Sequence, residues 1–271
     1  MPEQDNLTAK QNDYAVFLPA ISGFYATFIG KQRNEQYVDP ARFPQGLTDM
    51  EQLNWLNSSK GLFPYKWSLY SGGHANLDLS KQDWSEDMVR NREAGSFILG
   101  DSGGFQIGKG VWEGDWKDPN CPKAQKKREL VLKWMDSYMD YGMILDIPAW
   151  VCRSPAGRKA TNINSYMEAV QGTYINNDYF MKNRTGACKF LNVLQGENHA
   201  EADDWYDRMK KYSDPKQYSQ PFEGWAMGGQ NMCDVHLVLR RLVELRFDGL
   251  DRKSTRLNSS HSQQSRMPSS A

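Results

Sequence analysis

Six short apolar runs punctuate this chain, and amphipathic stretches separate the later ones. That alternation limits the folds open to it. The runs are AVFLP (15–19), WSLY (67–70), SFILG (96–100), MILD (143–146), FLNVL (190–194) and WAMG (225–228). Each has strand length and ends in a polar or Gly-rich turn. Between them, apolar residues recur at helical spacing. Leu130, Val131, Trp134, Met135 and Tyr138 share a face in 125–141, and Tyr166, Ala169, Val170 and Tyr174 do so in 160–182. Trp205 and Met209 mark 200–212, and Val235, Val238, Leu239, Leu242 and Val243 mark 234–246. Strand followed by helix, repeated, predicts parallel β-α units in an α/β fold. The segments 31–64 and 71–95 carry no such period and read as insertions.

Doubly wound sheets and β/α barrels both satisfy this alternation. The placement of polar residues favours a barrel. Asp101, Asp146, Gln195 and the pair Gly228-Gly229 each stand at, or just past, the C-terminal end of a different run. A barrel gathers those ends into one ring, where its sites are built. A doubly wound sheet concentrates ligand groups at a single switch point. The expectation is a (β/α)8 TIM-like barrel, incomplete, with about six of the eight strands present.

The last twenty residues, RKSTRLNSSHSQQSRMPSSA, break character: seven are Ser, four are basic, and none is acidic or aromatic. Such sequence cannot bury a core, so 252–271 is expected to be a disordered tail, either a basic arm or a foreign end. The barrel domain is then 1–251. The whole chain is charge-balanced at 33 basic and 33 acidic residues, so the tail's four cations leave 1–251 net acidic. An acidic domain is unusual for a nucleic-acid binder, and binding would need local patches. No apolar run reaches the roughly 18 residues a membrane helix requires. The polar N-terminus shows no export signal, which points to the cytoplasm. Four cysteines without a C-x-x-C pair read as free thiols.

The sharpest local motif is SFILGDSGGFQIGKG (96–110). Gly103 to Lys109 spell a phosphate-binding loop, but Gly110 stands where that loop needs Ser or Thr for magnesium. A strand followed by a Gly-rich turn is the plain alternative. DSGGFQ also resembles the signature of the tRNA-guanine transglycosylase family, which includes relatives that insert 7-deazaguanines into DNA. Three further blocks follow in that family's order: MILDIPAW (143–150), FLNVLQGE (190–197) and GWAMGGQ (224–230). The resemblance covers roughly residues 95–250 and is much fainter before them.

The resemblance implies exchange of a guanine for a 7-deazaguanine in tRNA or DNA, by breaking and remaking an N-glycosidic bond. A covalent sugar–carboxylate intermediate suits that chemistry, as in retaining glycosidases. Asp101 would be the proton-handling catalytic carboxylate. Asp146 would accept hydrogen bonds from the guanine N1–H and exocyclic amine. Gln195 and the backbone at Gly228 and Gly229 would donate to the base oxygen. Phe105 would stack on the base, and Ser102, Gly103, Gly104 and Gln106 would complete the pocket. Arg153, Arg158 and Lys159, in the loop after the Asp146 run, would contact phosphates, whereas KAQKKRE (123–129) reads as ordinary surface. The partners would be a nucleic acid and a free 7-deazaguanine, with a homodimer left open.

Each residue also has a plainer role. An Asp after a strand is often a helix cap, Gln195 can satisfy backbone groups, and Phe105 can belong to the core. His74, His199 and His236 have no partner at metal spacing. The chain also departs from the family pattern at Ile147-Pro148, Glu197 and Gln230, all in the blocks that would shape the base pocket. The family's nucleophilic Asp and its zinc site would both lie beyond residue 251, where neither is recognisable. The resemblance therefore implies no cofactor or metal in this chain and no exchange activity by the chain alone. Two other functions remain open: a barrel enzyme acting on a small nucleoside or glycoside, and a non-catalytic nucleic-acid-binding accessory subunit.

Overall fold

Parallel strands cannot be joined by tight turns, so a chain of strand–helix units must cross over between each pair. The computed structural model has this arrangement. It describes residues 16–23, 25–29, 38–75, 77 and 87–250, and the backbone of 256–257. Six parallel strands lie side by side in strict chain order: β1 (Ala20–Ile21), β2 (Trp67–Ser71), β3 (Phe97–Asp101), β4 (Tyr141–Met143), β5 (Lys189–Leu194) and β6 (Gly224–Met227). A two-residue parallel strand, β7 (Arg256–Leu257), adds to the far side of β6, with Trp225 opposite Arg256. Part of the Ser-rich tail thus has a place in the sheet, and the rest of 252–271 lies outside the described residues.

The connecting helices that position the site are α1 (Gly104–Gly108), α2 (Pro122–Tyr138), α3 (Pro155–Thr161), α4 (Tyr166–Asn183), α5 (His199–Met209) and α6 (Val235–Phe247). Their starts follow local rules. Proline opens α2 and α3, where its missing N–H costs nothing. Ser165, Asn198 and Asp234 cap α4, α5 and α6 by accepting the amides of Glu168, Glu201 and Leu237. The single helix expected over 160–182 is instead α3 and α4. Asn162 ends α3 with φ 57°, and Ser165 caps the next helix three residues later.

Two strand boundaries also differ from the apolar runs. The run AVFLP reaches the sheet only at its end and just past it. Pro19 has no N–H to give; its carbonyl accepts the Leu69 amide at 3.0 Å, and β1 proper is the next two residues. Ala15 lies outside the described residues. β4 stops at Met143 rather than Asp146, although the Ile144 amide still reaches the Leu191 carbonyl at 3.0 Å.

After β4 the backbone passes from the sheet to helix α4. The Leu145 carbonyl accepts the Asn176 side-chain amide at 2.6 Å, and the Ile147 amide donates to the Thr173 hydroxyl at 3.0 Å. Asn176 in turn accepts the Arg128 Nε–H at 2.6 Å, and Arg128 also donates to the Trp116 carbonyl. Arg128, Thr173 and Asn176 are all buried. The segment 144–147 therefore hangs from α4 and α2, with Asp146 between its two anchors.

The core is one continuous apolar cluster between sheet and helices, with Trp116, Trp134 and Trp205 among its fully buried members. The α2 and α5 faces are buried as their spacing predicts, through Leu130, Val131, Trp134 and Met135, and through Trp205 and Met209. Part of the first insertion packs in as well: Met50 and Leu56 are buried, and Trp55 donates to the Ser68 hydroxyl at 2.7 Å.

Helix α6 keeps only part of its pattern: Leu242 packs against the core and Val238 is half-buried. Val235, Leu239, Val243 and Phe247 are 70, 56, 53 and 86% exposed, while Leu237, Arg241 and Leu245 are buried. Arg241 explains the rotation. Its guanidinium binds Asp203 at 2.5 Å, Glu244 at 2.6 Å and the Ala202 carbonyl at 3.2 Å, and lies 4.3 Å from the Tyr206 ring centroid. A buried arginine needs all of those partners, so it sets the face that docks on α5. Among the described residues no helix is long and apolar enough to cross a membrane.

Replacing Asn176 by Leu would leave the Arg128 Nε–H and the Leu145 carbonyl without the partner they share. Asn176→Leu is expected to cost about 3 kcal/mol of stability in urea unfolding. A loss below about 0.5 kcal/mol would show that the clamp does not hold this segment.

Candidate active site

Because all strands run the same way, their C-terminal ends share one edge of the sheet. A cavity of about 440 Å³ opens there. Asp101, Gly103, Gly104, Phe105, Asp146, Gln195, Gly228 and Gly229 all line it. Residues expected at the ends of four different strands are thus brought to one place. Ser102 is buried beside them but does not line the cavity.

Asp146 is buried at the wall of the cavity. Its carboxylate accepts the Gln195 side-chain amide at 2.6 Å. Burial pushes its pKa up to about 7; the Asp101 charge adds to the rise, and the Gln195 hydrogen bond opposes it. Close backbone approach is part of this environment. A Cβ on Gly104 would stand 2.8 Å from the Asp146 carbonyl oxygen and 3.1 Å from its Oδ1. Gly103, just before it, has φ 79°, a conformation glycine adopts without strain, and this lets α1 start directly over the carboxylate.

Gln195 is fixed on both sides. A Cβ on Gly228 would lie 2.7 Å from its Nε2, and one on Gly229 3.0 Å from its Oε1. The buried Asn231 donates to the Gln195 and Gly228 carbonyls, both at 3.1 Å, tying the end of β5 to that of β6. Gln195 Oε1 is buried without a hydrogen-bond partner among the described residues. The Gly228 amide, expected to face a ligand, instead donates to the Leu194 carbonyl at 2.7 Å. The Gln195 amide likewise spends one hydrogen on Asp146, so in the free protein the acceptor atom of Gln195 is the unfilled one.

The mouth is aromatic. Phe105 is half exposed and meets Trp150 edge-on, with ring centroids 5.8 Å apart. The Lys109 ammonium lies 5.2 Å from the Phe105 ring, so it packs on that ring within α1 and its short extension. Glu197, expected near the base pocket as a departure from the family pattern, lines the cavity; so do Trp150, His74 and Cys233, none of which was singled out from sequence as part of a site. Trp150 stands in the MILDIPAW block, where run length and turn signals carry no information about a wall. Burial raises the Glu197 pKa, against the lowering effect of Arg153. The Gln230 side chain lies outside the described residues.

The three cations expected at the rim are placed differently. Arg153 pairs with Glu201 of α5, and Arg158 donates to the Cys152 carbonyl at 2.9 Å. Lys159 is exposed on α3, and none of the three lines the cavity. His199 pairs with the α6 cap Asp234 at 2.7 Å. Among the described residues no group of three or more His, Cys, Asp or Glu is arranged to hold a metal ion. Compared with known proteins, the chain matches no family model, no curated protein and no solved structure.

The raised pKa of Asp146 has a consequence for folding. The native carboxyl keeps its proton up to about pH 7, whereas the unfolded one loses it near 3.8. Folding therefore takes up a proton between those values, and this group's contribution falls as pH rises, by up to about 1.4 kcal/mol per unit. Asp146→Asn removes that titration. The variant is expected to gain stability relative to the parent protein from pH 4 to 7, and to hold that gain above pH 7. Parallel urea-unfolding curves for the two proteins across this range would contradict the assignment.

Proposed function

We propose that the cavity binds a guanine-type base and that the protein is a base-exchange transglycosylase, replacing guanine in a nucleic acid by a 7-deazaguanine. One observation carries this reading: a buried carboxylate, Asp146, is joined to an amide, Gln195, whose oxygen lacks a partner, in the wall of a cavity with aromatic sides. The edge of guanine that bears N1–H and the exocyclic amine offers adjacent donors, and an ionised carboxylate accepts two of them. The Gln195 amide, donating to that carboxylate, fixes its orientation. Phe105 and Trp150 supply the flat apolar contact that a base taken out of its stack requires.

Within this reading Asp101 is the proton carrier for the departing and incoming bases, since it shares the cavity with Asp146 and its charge is felt there. Ionised Asp146 holds the base, and Gly104, Gly228 and Gly229 keep space for the Asp146 and Gln195 side chains. The resemblance assigns the nucleophilic carboxylate to a further strand of a (β/α)8 barrel. The unreversed order of six parallel strands supports a barrel, because a doubly wound sheet reverses its order at the switch point. Successive right-handed crossovers without reversal lay their helices on one face, as a barrel does.

Calorimetry with free guanine and 7-deazaguanine tests the reading. Binding is expected above pH 7, weakening about tenfold for each unit below it as Asp146 takes up its proton. Asp146→Asn is expected to lower affinity about a hundredfold, because its amide replaces one of the two acceptor oxygens with a donor facing a donor. A protein that binds neither base, or binds them equally well with Asn at 146, does not perform this function.

A further inference from the structure

A second hollow, of about 380 Å³, lies beside α2. Trp112 and Leu130 give it apolar walls, and Lys123, Lys126 and Lys127 give it charge. Lys123 is paired with Glu113 at 3.1 Å. Lys126 is exposed, and neither it nor Lys127 has a carboxylate partner among the described residues. Lys127 is half-buried with its ammonium 4.6 Å from the Trp112 ring centroid, and its pKa is lowered first by burial and then by Lys126. The arrangement is electrostatically unfavourable as it stands. Three ammonium groups share the first two turns of α2, whose first turn holds no acidic residue. That end of a helix is already positive, so Lys126 and Lys127, without the carboxylate that Lys123 has in Glu113, are disfavoured there unless an anion joins them.

The hollow adjoins the cavity through one side chain. A Cβ on Gly103 would meet Trp112 Cη2 at 2.8 Å, and Gly103 lines the cavity while Trp112 lines the hollow. The segment 103–112, which contains α1, is therefore a shared wall. A free nucleoside in the cavity has no use for a cationic hollow behind that wall, whereas a strand has phosphates on either side of the nucleotide it presents.

We propose that this hollow grips the polynucleotide substrate, taking a nucleotide near the exchanged one, with Lys126 and Lys127 on phosphate oxygens and the Trp112 side supporting the sugar or base. This rests on the base-exchange reading and adds to it where the strand is held, at a hollow outside the base cavity. It also gives KAQKKRE (123–129) the phosphate contacts that Arg153 and Arg158, already engaged with protein groups, were expected to supply.

The test is fluorescence anisotropy of a labelled single-stranded oligonucleotide across about 50 to 200 mM salt, with calorimetry of free guanine on the same proteins. The double variant Lys126→Gln/Lys127→Gln is expected to bind the strand about tenfold more weakly. Its slope of log affinity against log salt should be shallower by about 1.4, and its affinity for guanine unchanged. Lys126→Gln alone, at an exposed position, should give about half the change in slope and separates charge from packing. Parent-like oligonucleotide binding by the double variant would overturn the proposal, as would a parent protein that binds no strand. So would lysine-dependent binding to phosphatidylserine vesicles without any to the oligonucleotide. If the strand is held in a lysine-dependent way but guanine is not bound, the base-exchange reading fails and the strand contact stands.

Discussion

Two side chains of helix α4 hold the Asp146 carboxyl in its buried place. Thr173 accepts the amide just after it and Asn176 donates to the carbonyl just before it, so the backbone on either side is satisfied without a sheet partner. An extended segment buried this deeply must place every N–H and C=O, and the helix supplies what the sheet has stopped supplying. The carboxyl itself is left with the Gln195 amide and the cavity. Its raised pKa measures how little the protein gives it in return for lost water. A ligand that presents two N–H groups would supply the rest.

The sheet makes the cavity, and a few close contacts shape its wall. Parallel strands in chain order bring Asp101, Asp146, Gln195 and Gly228 to one edge. Gly104 and Gly228 then allow backbone to approach the Asp146 and Gln195 side chains at distances where a Cβ would collide. Asn231, buried among strand ends, locks β5 to β6 through the two carbonyls it binds. The cavity is thus lined by hydrogen-bonded polar groups and by the aromatic rings of Phe105 and Trp150. That combination of fixed acceptors with flat apolar surface suits a planar heterocycle better than a flexible chain.

The alternation of apolar runs and helical faces made the α/β class and the parallel sheet legible, because both periods are local. The meeting of Asp101, Asp146, Gln195 and Gly229 was legible for a related reason, since parallel strands share an end. What stayed hidden depends on long-range partners. The end of β4 at Met143 is set by Thr173 and Asn176, some thirty residues later and on another element. The docking face of α6 is set by Arg241 with Asp203 and Tyr206, against an apolar stripe that the period alone assigns to the core. Trp150 and Asn231 follow turns, where no period marks which way a side chain faces. The split between α3 and α4 did leave a trace, in Asn162 and Ser165, a helix end and a helix start three residues apart.

Carbon-13 NMR of the Asp146 side-chain carboxyl, assigned by its loss in Asp146→Asn, reaches this account most directly. The free protein should show that carboxyl titrating near pH 7, and guanine should draw the midpoint well downward as two N–H donors come to favour the ionised form. A carboxyl that titrates in the ordinary range near 4, or one whose midpoint guanine leaves unmoved, would contradict it.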